Sequence, residues 1–282
     1  MPPASSIAPP RGRLDHLLPQ GYLEGFTNPA TPGRLSVFSI ERQQWFESTP
    51  RKVAAINGFY DYSPDSAPDQ TADQAFKEFE ERFPNVRREL VASGFSGWQS
   101  HLDFLLRYAQ MLRARSDLFR QQTVTNARQQ PMVRVKEVVN DPATGKTGIK
   151  WEELTETAEE REKLFRDMAI TIMRLEIAKG AAFFSQLHWC LRIATAVTDP
   201  VNTGDDAIVA EYKAPTWEAA LTDANTHIFF PVCRHACLIG SPAKFVLETE
   251  AFHASDVKLL QRRYLKGECR FAYSPKRLDA VK

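Results

Sequence analysis

Five polar side chains from separate segments of the chain hold the parts of a hydrolytic site: His16, Glu80, Gln110, Arg113 and Asp199. Histidine titrates near neutral pH and can take or give a proton. Arginine can grip a phosphate or carboxylate with two parallel hydrogen bonds. Asp199 and Glu80 could orient the histidine or hold a divalent metal. The set suits phosphodiester hydrolysis, with His16, Arg113 and Asp199 catalytic and Gln110, Glu80 and Tyr60 binding. A divalent metal is then a candidate cofactor and nucleic acid a candidate partner. A competing expectation is structural. Asp199 before Pro200 can cap a turn. Glu80 and Arg113 can lock two helices as a buried ion pair. The chain would then be a binding, adaptor or ligand-sensing module without chemistry. The difference between the two is convergence: a catalyst needs these groups within hydrogen-bond reach in an open hollow.

Other chemical signals are weaker. Arg11 and His16 have the Arg-x4-His spacing of a ribonuclease motif, but Arg11 lies in a proline-rich start. Gly145-Lys146-Thr147 echoes a phosphate loop, yet Asn140 occupies the position of its leading glycine. Cys233 and Cys237 stand four apart, without the second close pair that a structural zinc site needs. On a single strand both would share a face. Buried free thiols are the expected state of the four cysteines, Cys190, Cys233, Cys237 and Cys269, in a cytoplasmic protein.

Composition narrows the class. The chain has 282 residues, 43% of them hydrophobic and 25% charged, with a net charge of +1. This is globular composition with room for a sizeable core, and no global field recruits nucleic acid or anionic membrane. Charge is uneven locally: residues 151–163 carry six Glu against one Arg and one Lys, and residues 256–282 carry eight basic against three acidic residues. Residues 180–191, the longest uncharged central run, are too short to span a bilayer. Residues 1–13 lack the apolar core of a signal peptide and read as a disordered tail, with a second tail at 277–282.

The elements that must position these residues follow from periodicity. The opening stretch Asp15-His16-Leu17-Leu18-Pro19-Gln20-Gly21-Tyr22-Leu23-Glu24-Gly25-Phe26 begins the folded part. Arg34-Leu35-Ser36-Val37-Phe38-Ser39-Ile40 alternates as a strand, turns through 41–44, and returns over 45–48. Asn57-Gly58 predicts a tight turn that docks Phe59 and Tyr60 on the core. A helix is expected over 72–92, broken or kinked at Pro84. A longer one is expected over 99–127, with Gln110 and Arg113 bordering its buried face. A hairpin should join 132–139 to 148–151. Thr157 and Glu160 form a capping box for a helix to Lys179, with Leu164, Met168, Ile172 and Leu175 as its apolar line. Strands follow in 187–196 and 227–240, then a helix over 257–266 capped by Ser255, and a strand over 270–274. The expected architecture is α+β: one domain over 14–276, a central helical bundle flanked by an N-terminal hairpin and C-terminal antiparallel strands.

The ordered motifs add a resemblance. His16-x-x-Pro19-Gln20-x-Tyr22-Leu23-x-x-Phe26, Asn57-Gly58-Phe59-Tyr60, the helix with Phe79-Glu80, and Gln110-x-x-Arg113 resemble blocks of the bacterial domain-of-unknown-function family 4238. Thr198-Asp199-Pro200-Val201 is similar to that family's loop after a tryptophan-led strand, and Phe229-Phe230-Pro231 to the block that follows. Ala114-Arg115 stand where the family often has a proline. The resemblance covers about residues 14–276 and implies fold and extent; the family name carries no assigned activity.

Overall fold

The computed structural model describes residues 14–60, 71–130, 133–140, 147–153, 157–195, 200–211, 217–266 and 270–278. Leu14–His16 is β1, and Gln20–Leu23 is a single helical turn, α1. The expected hairpin is present as β2 (Leu35–Ser39) and β3 (Gln44–Ser48). β4 (Ala55–Asn57) returns antiparallel beside β1, with His16 opposite Ala55. α2 (Thr71–Ala92) runs through Pro84 without ending. The missing N–H of Pro84 frees the Glu80 carbonyl from the helix ladder, and α1 docks beside that opening. Gly21 permits the approach, because a Cβ there would lie 2.6 Å from Pro84 Cγ. Arg87 then donates from Nη1 to the Gly21 carbonyl at 2.5 Å, satisfying an end of α1.

The long helix expected over 99–127 is two. α3 (Leu102–Ala114) stops at Arg115, and α4 (Asp117–Arg128) starts anew. Ser116 causes the break: its hydroxyl accepts the Phe119 N–H as an N-cap, and its backbone is extended. β5 (Val133–Asn140) and β6 (Thr147–Glu153) form the expected hairpin. α5 (Ala158–Ala178) opens on the Thr157–Glu160 capping box. Its buried line is Phe165, Ala169, Ile170, Met173 and Ile177, one position round from the expected line, and Leu164 and Leu175 are exposed.

β7 (His188–Ile193), β8 (Thr203–Gly204), β9 (Val209–Glu211), the short α6 (Trp217–Ala220), β10 (His227–Cys233), β11 (Ala236–Ser241) and β12 (Thr249–Ala251) follow. α7 (Ala254–Lys266) starts a residue before Ser255, so that serine does not cap it, and β13 (Phe271–Ser274) closes the fold. The fold is α+β, but more interleaved than a bundle between two β regions. One sheet has the order β12-β7-β11-β10-β9 and is mixed, because β12 runs parallel to β7. The other has the order β3-β2-β13-β8, so the N-terminal hairpin is completed by the last strand of the chain. One cluster of buried apolar side chains runs from Leu18 to Tyr273. No helix among the described residues is long and apolar enough to cross a membrane.

Asp205 ties β8 to β13. Its carboxylate accepts the Tyr273 hydroxyl and, at 3.1 Å, the Phe271 N–H, with Arg270 Nε at 3.6 Å. Burial pushes its pKa up to about 6, against the Tyr273 hydrogen bond and Arg270, which pull it down. A carboxyl raised on folding favours the folded state when protonated. Its contribution is full below the unfolded value and is lost as pH rises through the folded one. From about pH 4 to pH 7 the parent chain should lose on the order of 3 kcal/mol that Asp205→Asn does not lose. Parallel unfolding profiles of parent and variant across that window would contradict this.

Candidate functional site

α3 carries polar groups on opposed sides. Gln110 and Arg113 are three residues apart and share a side; Arg115 lies about 200° round from Arg113 at 100° per residue. The first side meets α5. Gln110, 1% exposed, donates from Nε2 to Glu176 Oε2 at 3.0 Å. Arg113 Nη1 is 3.7 Å from the same oxygen, and its guanidinium lies 5.1 Å from the ring centres of both Phe119 and Phe183. Lys179 also pairs with Glu176. Gln110 and Arg113 thus close the α3–α5 seam.

The second side holds a denser knot around Arg115, 2% exposed. Its Nε donates to Tyr60 Oη at 2.9 Å, Nη1 to Glu80 Oε1 at 2.5 Å, and Nη2 to the His16 carbonyl. The guanidinium packs 4.4 Å from the Phe76 ring centre. Tyr60 also donates its hydroxyl to the His16 carbonyl at 3.2 Å, and its N–H to Asp15 Oδ2 at 3.0 Å. Burial alone would lower the arginine's pKa, but Tyr60 and Glu80 outweigh it, so Arg115 is held firmly charged. Burial likewise raises the Tyr60 phenol, with Arg115 pulling the other way.

The expected site residues therefore divide. His16, Glu80 and Tyr60 come together, joined by Arg115; Gln110 and Arg113 meet Glu176 instead. His16 enters the knot through its backbone carbonyl, while its half-buried ring pairs with the Arg51 carbonyl at 3.1 Å. Asp199 lies outside the described residues, as do Cys269, Arg11, Gly145 and Lys146. Among the described residues no group of three or more His, Cys, Asp or Glu stands together to hold a metal ion. Cys190, Cys233 and Cys237 are buried free thiols. Cys233 and Cys237 flank the Arg234-His235 turn of the β10–β11 hairpin, on different strands, so the one-strand expectation does not apply. Burial raises both thiols, which opposes thiolate chemistry.

A third polar centre lies deeper. The fully buried Tyr22 hydroxyl meets Thr203 Oγ1 at 3.0 Å and donates to the Pro231 carbonyl at 2.8 Å. One phenol from α1 thereby joins the two larger sheets. Its ring lies among Phe26, Phe83, Tyr108 and Phe230, and Phe83 stacks on Tyr108 with centres 4.0 Å apart.

The Asn57–Tyr60 turn is gripped by arginines from three places. Besides Arg115 on Tyr60, Arg120 Nη1 donates to the Phe59 carbonyl and Arg166 Nη2 to the Gly58 carbonyl, each at 2.9 Å. Beside this turn lies a cavity of about 10 Å³, lined by Tyr60, Phe119, Arg120, Ile170 and Met173 among others. That is room for roughly one water molecule.

The opening block and the Phe229-Phe230-Pro231 block thus meet at Tyr22, and the segments bearing His16, Tyr60, Glu80 and Arg115 meet at the second knot. The chain belongs to the family described as a protein of unknown function (DUF4238), whose model matches residues 15–250. No curated protein and no solved structure matches the chain.

Proposed function

We propose that this protein is a binding module without hydrolytic chemistry, folded as one unit over residues 14–276. His16, Glu80 and Tyr60 with Arg115, and Gln110 and Arg113 with Glu176, serve as clamps between elements. One observation carries the reading: His16 and Arg113 belong to separate networks on opposed sides of α3, each engaged by protein partners. A general base and a phosphate-gripping arginine must instead share a substrate within hydrogen-bond reach. The alternative is a nuclease-like hydrolase using His16, Arg113 and Asp199. Its foothold is the half-buried His16 ring, which solvent can reach.

The test is incubation of the full chain with single- and double-stranded RNA and DNA, with and without a divalent metal. The expected result is no cleavage above background. Cleavage abolished by His16→Ala or Arg113→Ala, with melting temperature unchanged, would overturn the reading and restore the hydrolase.

A further inference from the structure

The sheet of order β3-β2-β13-β8 ends on β3, which pairs with β2 alone among the described strands. The phase of its hydrogen bonds follows from its neighbour. Ile40 donates its N–H to the Arg270 carbonyl at 3.0 Å, and Ser36 and Phe38 share that phase and face β13. Bonding alternates along an antiparallel strand, so Leu35, Val37 and Ser39 turn the other way and bond Ser48, Phe46 and Gln44. The backbone groups of Trp45 and Glu47 therefore point out of the edge of the sheet. Natural edges are blunted by lysine, proline or a bulge. β3 has no lysine or proline, its pairing with β2 is regular, and its one charge is Glu47. Phe46, between the two outward residues, is 37% exposed, with the Phe271 ring edge-on at 6.3 Å.

We propose that β3 is a self-association edge, through which two copies of the chain join their four-stranded sheets into one continuous sheet. The copies lie antiparallel about a two-fold axis at Phe46. Trp45 then stands opposite the partner's Glu47 in a hydrogen-bonded pair, where both residues use their outward N–H and carbonyl groups. Phe46 meets the partner's Phe46 in the closer, non-bonded pair, and cross-strand aromatic pairs of this kind attract. Within the strand no like charges face each other. Beyond it, the same register directs Glu41 toward the partner's Arg51, and Arg51 toward the partner's Glu41. Both residues are exposed, and among the described residues neither is in an ion pair. This charge match at the two ends favours a second copy over an unrelated strand. The proposal stands apart from the binding-module reading and does not rest on it.

Sedimentation velocity of the full chain, from micromolar to near-millimolar concentration, tests it. The 32.0 kDa chain is expected to approach twice that mass as concentration rises. Phe46→Lys sets two cations against each other at the axis and should weaken association about tenfold or more. Glu47→Pro should also weaken it, because it removes an outward N–H that β2 does not use. Glu41→Arg should weaken it too, and Glu41→Arg combined with Arg51→Glu should restore it. Val246→Lys, at an apolar position 95% exposed on another part of the surface, should leave association unchanged. Melting temperature at the lowest concentration shows which variants are folded, and the remaining ones decide if one is not. A chain that stays at monomer mass throughout overturns the proposal, as does a dimer that survives both Phe46→Lys and Glu47→Pro. A dimer broken by those two but not restored by the charge exchange overturns the antiparallel register.

Discussion

Arg115→Ala should destabilise the fold by about 3–5 kcal/mol, the range for removing one partner of a buried, hydrogen-bonded charge network. The guanidinium reaches three acceptors from three elements, Tyr60 Oη, Glu80 Oε1 and the His16 carbonyl, and fills space against Phe76. Without it the knot loses its shared donor and the aromatic cage its centre. Arg115→Lys should recover little, because one ammonium on a flexible stem cannot span the three acceptors of a planar fork. Arg113→Ala should cost only about 1–2 kcal/mol, since Glu176 keeps Gln110 and Lys179 as partners. Urea unfolding of the three variants checks the order. Arg113→Ala emerging as the more damaging would contradict it.

Tyr22→Phe is the second large effect, expected at about 2–3 kcal/mol because the Pro231 carbonyl and Thr203 hydroxyl lose their bridging partner. Ring packing is preserved, so the loss reports the hydrogen bonds alone. Tyr108→Phe supplies the contrast. Its hydroxyl is also buried but makes no hydrogen bond to the described residues, so its removal should be near neutral or slightly stabilising. Thermal unfolding of the two variants side by side measures the difference. Equal losses would mean that the phenol of Tyr22 does not bridge the sheets.

Local chemistry was readable from the sequence where it is self-contained. The Thr157–Glu160 capping box needs only residues three apart, and it forms. The β2–β3 hairpin needs only alternation and a turn, and it forms in the expected place. What was not readable depends on rotation and on distant partners. Residues 164–177 carry apolar side chains on more than one side, and only packing against α3 and α4 selects Phe165, Ala169 and Met173 over Leu164, Met168 and Ile172. Ser116 is a visible helix-start signal, but the apolar line through 99–127 continues across it. On a helix that continued through 116, Arg115, two past Arg113, would fall at a surface position. In the fold Arg115 is the C-cap of α3, turned toward β1 and α2. The pairing of β13 with β2 joins opposite ends of the chain, and no local pattern encodes it.

A pair of double-mutant cycles tests the separation of the two networks most directly. Tyr60→Phe combined with Arg115→Ala should show a coupling of about 1–2 kcal/mol, because the two side chains share a hydrogen bond. Tyr60→Phe combined with Arg113→Ala should be additive to within about 0.5 kcal/mol, as expected for groups in the two separate networks described on opposed sides of α3. Strong coupling of Tyr60 to Arg113, with none to Arg115, would contradict the division of α3 into two polar sides and return Arg113 to the group around His16.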